Sequence, residues 1–368
     1  MSLSKKLLLL LCQSLLLWLL IFSFGQSPQF TVFYSQRIYP LVQEGKSFVF
    51  RHIPFSVGDV LYIFAGIWLV LTLVRWVYFI RRYGIHKDRL WGSVANTSNV
   101  LIFVYVFFLL SWGGNYYKAP LAKTWMPGIK KNSATQKERL RQYRKELIAF
   151  AQFLSNHLHA TQDGYCTASH NDVNERAIAY YRIYTTSRVK ENGHHIKSTL
   201  FAPLLLRMGV DGYYNPFTGE GQVNKGQPAF MMPFLICHEM AHQAGIAAEG
   251  DANLMAYALC TRSNDVEFQY SAYLNLWLYS YNRLYRFDSS MASSLEATLP
   301  PLTRLHIDTL QQIYQRDHGA MTEYTTDIYD GYLRMQLQEG IKSYGNVVKD
   351  AWHYEQWKGR TKNLLLIP

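Results

Sequence analysis

The chain has 368 residues, a formal charge of +11 and four cysteines. That length suits two domains of about 100 to 200 residues each, and the cysteines, at 12, 166, 237 and 260, show no CxxC spacing. The positive charge would suit nucleic acid, but the topology read below carries most of the chain out of the cytoplasm and excludes that partner, leaving an anionic membrane surface or envelope polymer as the polyanion it would meet.

Apolar residues crowd into the first 115 positions. Leu7 to Phe24 is almost wholly apolar and follows Lys5 and Lys6. It reads as a retained anchor rather than a signal peptide, because it exceeds the usual apolar run of about 7 to 15 residues and no small-x-small cleavage site follows. A second span is expected over about Val57 to Ile80, with Arg75 near enough to its end to reach the headgroups. A third run, Val100 to Trp112, is short, and spanning requires the helix to extend back through Asn96, Thr97, Ser98 and Asn99; a re-entrant or buried helix is the alternative. Lys5 and Lys6 mark the start, and Arg81, Arg82, Lys87 and Arg89 crowd the second connection, so the basic residues place both inside. Three spans starting inside leave everything from about 115 onward on the periplasmic or extracellular side. The expected division is a membrane domain over 1–114 and one outward domain over 115–368.

Past the third span come Lys118, Lys123, Lys130, Lys131, Lys137, Arg139, Arg141, Arg144 and Lys145, most simply a solvated helix face. Thr135 and Glu138 have capping-box spacing. Leu140, Tyr143, Leu147, Ala151, Leu154 and Leu158 then recur at helical intervals, which predicts a packing helix. A second helix is expected over about 171 to 188. "GVDGYYNPFTGEGQVN", residues 209 to 224, reads as turns and short strands, and residues around 214 to 225 as an edge strand to which a peptide adds. Fold class is therefore mainly α, in the α+β sense: transmembrane helices, then a helix-rich domain with a short edge sheet. The tyrosines at 257, 270, 273, 279, 281 and 285 read as core.

"CHEMAHQAGIAAEGDAN", residues 237 to 253, carries the chemistry. A helix over about 233 to 244 accepts Pro233 in its first turn and sets His238 and His242 one above the other, where both imidazoles reach one zinc ion. Glu239 is offset round the helix, too far to ligate the same ion and placed to reach a water bound there. A catalytic zinc normally takes three protein ligands. Gly245 lets the chain reverse into a second helical pattern running from Glu249 towards Leu284, and a carboxylate at its start would complete the set: Glu249 is the natural choice and Asp251 the alternative. A three-histidine site would need histidine at 248, where Ala248 stands. Asn253, four residues after Glu249, would orient a ligand histidine. Tyr344 is a candidate oxyanion donor, and Cys166 and Cys260 are a candidate disulfide pair.

"NYYKAP", "PFTGEGQVN", "HEMAHQAGIAAEGDANLMAY" and "EGIKSYGNVV" resemble a family of bacterial membrane proteins of unknown function presumed to be zinc metallopeptidases. More widely the motif is similar to gluzincins, whose third ligand is the Glu of an ExxAN pattern, matched here by Glu249 to Asn253. The resemblance implies a zincin-like domain, one zinc ion per chain, and residence in the bacterial inner membrane.

The function expected from these residues is hydrolysis of a peptide or protein substrate by a membrane-anchored zinc metallopeptidase with Glu239 as general base, with membrane lipid as the other partner. The rival is a non-catalytic zinc-containing membrane sensor or peptide-binding scaffold, which would have no use for Glu239.

Overall fold

The computed structural model describes residues 2–85, 88–126, 135–165, 168–185, 189, 193–317, 319–335 and 343–360. Three helices are long and apolar enough to cross a bilayer: α1 (Leu3–Gln26), α4 (Val57–Tyr83) and α5 (Asp88–Ser111). The third thus takes in the polar stretch at 96–99. It does so by turning Ser93, Thr97 and Asn99 inward, where Asn99 Nδ2 donates to the carbonyls of Ala95 (2.7 Å) and Lys6 (3.1 Å) and Trp76 Nε1 on α4 donates to Ser93 Oγ (3.1 Å). Satisfying polar groups within the bundle is what a lipid environment demands.

Between α1 and α4 the chain forms α2 (Pro28–Phe33), a π-helical turn over Tyr34–Ile38, and α3 (Tyr39–Phe50). These pack against the part after residue 112: a second core unites Phe24, Tyr34, Tyr39, Phe108, Leu109 and Trp112 with Val189, Tyr214 and Ala247. Such packing requires residues 27–56 and the chain after α5 to lie on one side of the membrane, which is where three successive crossings leave them. A cut at 115 therefore runs through a shared core.

After the short α6 (Leu121–Trp125), α7 (Gln136–Thr161) opens with the expected capping box: the Thr135 amide donates to Glu138 Oε2 (2.8 Å) and the Glu138 amide to Thr135 Oγ1 (3.3 Å). It buries Leu147, Phe150, Ala151, Leu154 and Leu158, while Leu140 stays exposed. α8 (His170–Tyr184) follows. Then come β1 (Ile196–Ser198), α9 (Ala202–Arg207), β2 (Gly212–Tyr214) and β3 (Gly221–Val223). The sheet order is β1-β3-β2, with β1 parallel and β2 antiparallel to β3. Of the stretch expected to be an edge strand, Gly221–Val223 is instead the centre of the sheet, because β1 covers its far side, and Tyr214 ends the edge strand β2, with a turn between them; the edges are β1 and β2.

α10 (Met232–Gln243) runs through the main core, followed by α11 (Glu249–Arg262) and α12 (Val266–Tyr285). The single helix expected from 249 to 284 is broken at Ser263–Asp265. There Asp265 caps α12 by accepting from the Glu267 amide (3.0 Å), a role in which Asp outcompetes continuation of the helix. Tyr257, Tyr270 and Tyr273 enter the core as expected, whereas Tyr285 is exposed. α13 (Ser289–Ala297), α14 (Pro301–Asp317), α15 (Ala320–Met335) and α16 (Ser343–Arg360) complete a mainly helical molecule.

A buried ionic cluster joins α4 to the sheet. Glu220 accepts from the amides of Val57 (3.2 Å) and Gly58 (2.7 Å) at the α4 N-terminus, from Thr218 Oγ1 (2.8 Å) and from Lys197 Nζ (2.5 Å). Lys197 Nζ also donates to the carbonyls of Phe50 (2.8 Å) and Phe55 (3.0 Å). Asp59, fully buried, accepts from the Leu200 amide (2.6 Å), Thr199 Oγ1 (3.1 Å) and the Tyr213 hydroxyl. Removing one partner of a buried pair strands the other charge at a cost of about 3–5 kcal/mol, whereas an exposed pair is worth under about 1 kcal/mol. Glu220→Ala should therefore lower the thermal unfolding midpoint in detergent far more than Arg144→Ala, which breaks the exposed Arg144–Asp288 pair. Similar shifts for the two would refute the structural weight given to the cluster.

Candidate metal centre

Almost every residue of α10 is buried. The Tyr181 hydroxyl donates to the Cys237 carbonyl (2.9 Å), the Phe234 amide donates to Ser271 Oγ (3.2 Å), and Gln243 Nε2 donates to the carbonyls of His195 (2.8 Å) and Gly219 (3.0 Å). The helix ends in a Schellman turn: the Ile246 amide reaches back to the Ala241 carbonyl (3.0 Å) and the Gly245 amide to that of His242 (2.9 Å), with Gly245 at φ +85°. That left-handed residue swings the chain round so that the Ile246 carbonyl accepts from His242 Nδ1 (2.7 Å). The bond keeps a proton on Nδ1, so that Nε2 is the nitrogen a metal would take in exchange for its proton. Glu249 then opens α11.

The turn brings three side chains together. Glu249 Oε2 lies 3.2 Å from His238 Nε2 and 3.6 Å from His242 Nε2, and all three potential ligand atoms fall within 4.8 Å of one another. Tetrahedral zinc with bonds of about 2.0–2.1 Å needs ligand atoms roughly 3.3 Å apart, which both Glu249–imidazole separations match, and the donor set, two imidazole nitrogens and a carboxylate oxygen, suits the ion. Among the described residues this is the one such trio found. The alternative carboxylate, Asp251, points elsewhere, accepting from the Leu121 amide and facing Lys118.

Electrostatics bind the group further. Burial alone would lower the His242 pKa, yet Glu249 outweighs it and holds the imidazole at about 9. Burial likewise works against the Glu249 charge, but His242 and His238 prevail and keep the carboxyl well below its usual range. His238 is lowered by burial. Asn253 lies beside His238 and biases its titration upward, though neither His238 Nδ1 nor Asn253 Nδ2 completes a hydrogen bond of good geometry.

Glu239 is buried next to the trio and does not join it. Burial pushes it up to about 8; His242 opposes the rise, while Glu249 and Asp211 add to it. Its Oε2 has no hydrogen-bond partner. Gly212 of β2 lies against it: a Cβ there would come within 2.7 Å of Glu239 Oε1. The bonded pairs of the β2–β3 hairpin fall at Asp211/Asn224 and Asn215/Glu220, so by alternation Gly212 and Tyr214 turn their backbone groups away from β3 and along the open edge.

Other neighbours were not legible in the motif. The Tyr39 hydroxyl donates to the carbonyls of Gln243 (2.8 Å) and His242 (3.2 Å), Trp112 Nε1 to that of His242 (3.3 Å) and Lys118 Nζ to that of Gly245 (3.1 Å). Tyr279 of α12 is near enough to Asp211 and Glu249 for both to add to the burial that raises its phenol pKa. The candidate oxyanion donor Tyr344 lies in α16 at a position whose side chain is outside those described. Cys166 is also outside the described residues, and Cys260 is a free buried thiol against Cys237.

With this geometry in view, comparison with known proteins adds one match. The family model "Protein of unknown function (DUF3810)" matches residues 34–350, so the chain belongs to that family. No curated protein and no solved structure matches.

Beneath the centre a buried network runs from Tyr39 through Gln43 and Tyr214 to Lys46, whose Nζ donates to Pro216 O (3.0 Å), Ser111 O (3.3 Å) and the Tyr214 hydroxyl (3.3 Å). Burial pulls Lys46 down to about 7. Between that value and the ordinary lysine range near 10.4 the unfolded chain holds the extra proton, so folding stability rises with pH through this window, by at most about 1.4 kcal/mol per unit. Across pH 7.5 to 9 Lys118, also lowered by burial, adds to this rise, while His242 and Glu239, held up at about 9 and about 8, oppose it, so the Lys46 contribution is read as a difference: Lys46→Met should make the slope of stability against pH less positive than that of wild type. A slope unchanged in the variant would assign the effect to other groups.

Proposed function

We propose that the protein is a membrane-anchored zinc metallopeptidase. The observation that carries the reading is the convergence of His238, His242 and Glu249 beside a buried carboxyl group, Glu239, whose Oε2 has no hydrogen-bond partner, next to a strand edge that no described strand pairs. His238, His242 and Glu249 would hold the ion, with the Ile246 carbonyl fixing one imidazole and Asn253 beside the other. When bound, zinc supplies Lewis acidity and makes water a competent nucleophile near neutral pH.

The rest falls to the chain's own groups. Gly212 and Tyr214 offer backbone donors and acceptors to an extended peptide, which adds as a fourth strand beside β2. Glu239, against Gly212, is then placed to take a proton from the attacking water and return it to the leaving amine. The depth of the site excludes bulk solvent and strengthens each of these interactions. The basic residues Lys5, Lys6, Arg81, Arg82, Lys87 and Arg89 favour a cytoplasmic position for the α1 start and the α4–α5 connection. The catalytic part then faces the periplasm or exterior from the inner membrane of a bacterium, where peptide or protein, not nucleic acid, is the substrate.

Metal analysis of purified protein should give about one zinc per chain, lost in His238→Ala and Glu249→Ala. Glu239→Gln should keep the zinc and lower hydrolysis of a peptide library by roughly 10²–10⁴-fold, the usual worth of a general base. Zinc retained by a wild type that hydrolyses no library member would favour a non-catalytic sensor or scaffold instead.

A further inference from the structure

The candidate centre lies near the ends of two spans: Trp112, directly after α5, touches His242, and the first turn of α4 holds Tyr213 of β2, the strand that meets Glu239. α4 has 27 residues and so rises about 40 Å, roughly 10 Å more than a hydrocarbon core of about 30 Å. Its first turn, Ser56 to Asp59, is bonded into the sheet, which assigns the excess length to this end. One turn deeper, Tyr62 packs on Tyr213 of β2 with ring centroids 6.2 Å apart. Phe107, in the last turn of α5, stacks on Phe217 at 6.1 Å and 8°. Trp112, directly after α5, sits edge-on to the His242 imidazole at 6.1 Å as well as donating to its carbonyl. Indole at that position is characteristic of headgroup depth. At Gly58 a Cβ would come within 2.5 Å of the Asn215 side chain, so the turn after β2 is seated on the start of α4.

The contacts with α5 give β2 a direction: Tyr214 meets Trp112, the Pro216 carbonyl accepts from Ser111 Oγ, and Phe217 meets Phe107, each partner further into the span than the one before. It begins at Gly212, against Glu239, and ends in the Asn215–Phe217 turn, which rests on both spans. An extended chain laid along its open edge therefore passes from the reacting carboxylate to the bilayer surface within a few residues. Resting on the peptidase reading above, we infer that the substrate class is the juxtamembrane segment of a membrane-anchored polypeptide, cut about 3–8 residues outside the hydrocarbon at roughly 3.3 Å per residue. A lipid amide would reach the same depth but has no extended backbone to pair with both Gly212 and Tyr214.

The test uses full-length, zinc-loaded protein in liposomes. The probe is a single-span polypeptide carrying a randomised eight-residue segment 2, 5, 10 or 25 residues outside the bilayer, with the same library as free peptide. Mass spectrometry should show cuts clustered at the two short spacings, at least 10-fold faster than at 25 residues, where tethering persists but proximity does not. A depth measurement independent of catalysis accompanies it. With Cys12 and Cys166 replaced by serine, a fluorophore on Phe217→Cys should be quenched by lipids brominated near the headgroup. Equal cutting at every spacing, preferred cutting of free peptide, a fluorophore beyond the reach of those lipids, or release of lipid fragments in place of peptides would each overturn the inference and leave a hydrolase standing. Bound zinc with no hydrolysis of any format would remove the peptidase reading itself, and this inference with it.

Discussion

The carbonyl groups at the end of α10 are the constraint on which the candidate centre depends. A helix leaves its last four carbonyls without partners in the helix, and here that end is buried against segments that flank the spans rather than washed by solvent. Tyr39, Trp112 and Lys118 answer the carbonyls of His242, Gln243 and Gly245. All three donors come from segments flanking the spans. The position of His242, and through the Schellman turn that of Glu249, is therefore set by juxtamembrane side chains as much as by the helix that carries the motif.

A second set of bonds locks the opposite side of the site. Glu220 and Asp59 occupy the α4 N-terminus, where the helix dipole favours negative charge, and each also holds a strand-bearing segment: Lys197 in β1, Thr199 and Leu200 just after it, and Tyr213 in β2. Three strands of three residues cannot be independently stable. The sheet exists because α10 covers one side and the first turn of α4 anchors the other, so Gly212 meets Glu239 at a spacing fixed by a transmembrane helix.

Much of this was legible in the sequence because it rests on local periodicity. The four-residue spacing of His238 and His242, the reversal allowed by Gly245, the capping box at Thr135 and the long apolar runs are all consequences of helical geometry, and the mainly helical architecture with three leading apolar helices follows from them. The polar stretch at 96–99 was ambiguous on its face and resolved only by knowing which side of α5 turns inward. What periodicity does not contain is tertiary. Nothing in "VDGYYN" says that β1 will cross over to make β3 central, nor that Asp265 will stop one helix to start another. The bracing of α10 by Tyr39 and Trp112 links positions 130 to 204 residues apart. A tryptophan immediately after a span was a visible hint of interfacial position, but not of the carbonyl it would meet.

The order of these pieces along the chain has a bearing on biogenesis. Synthesis proceeds from the N-terminus, and segments made first fold or insert first. Tyr39, Lys46, Asp59, Trp112 and Lys118 all leave the ribosome well before residue 238, so the spans that carry the cradle for the two histidines are made before the histidines emerge. A chain that failed to insert would present its histidine helix without those donors and its small sheet without an anchor. Assembly of the candidate centre is in this way coupled to membrane integration by the order of the chain itself.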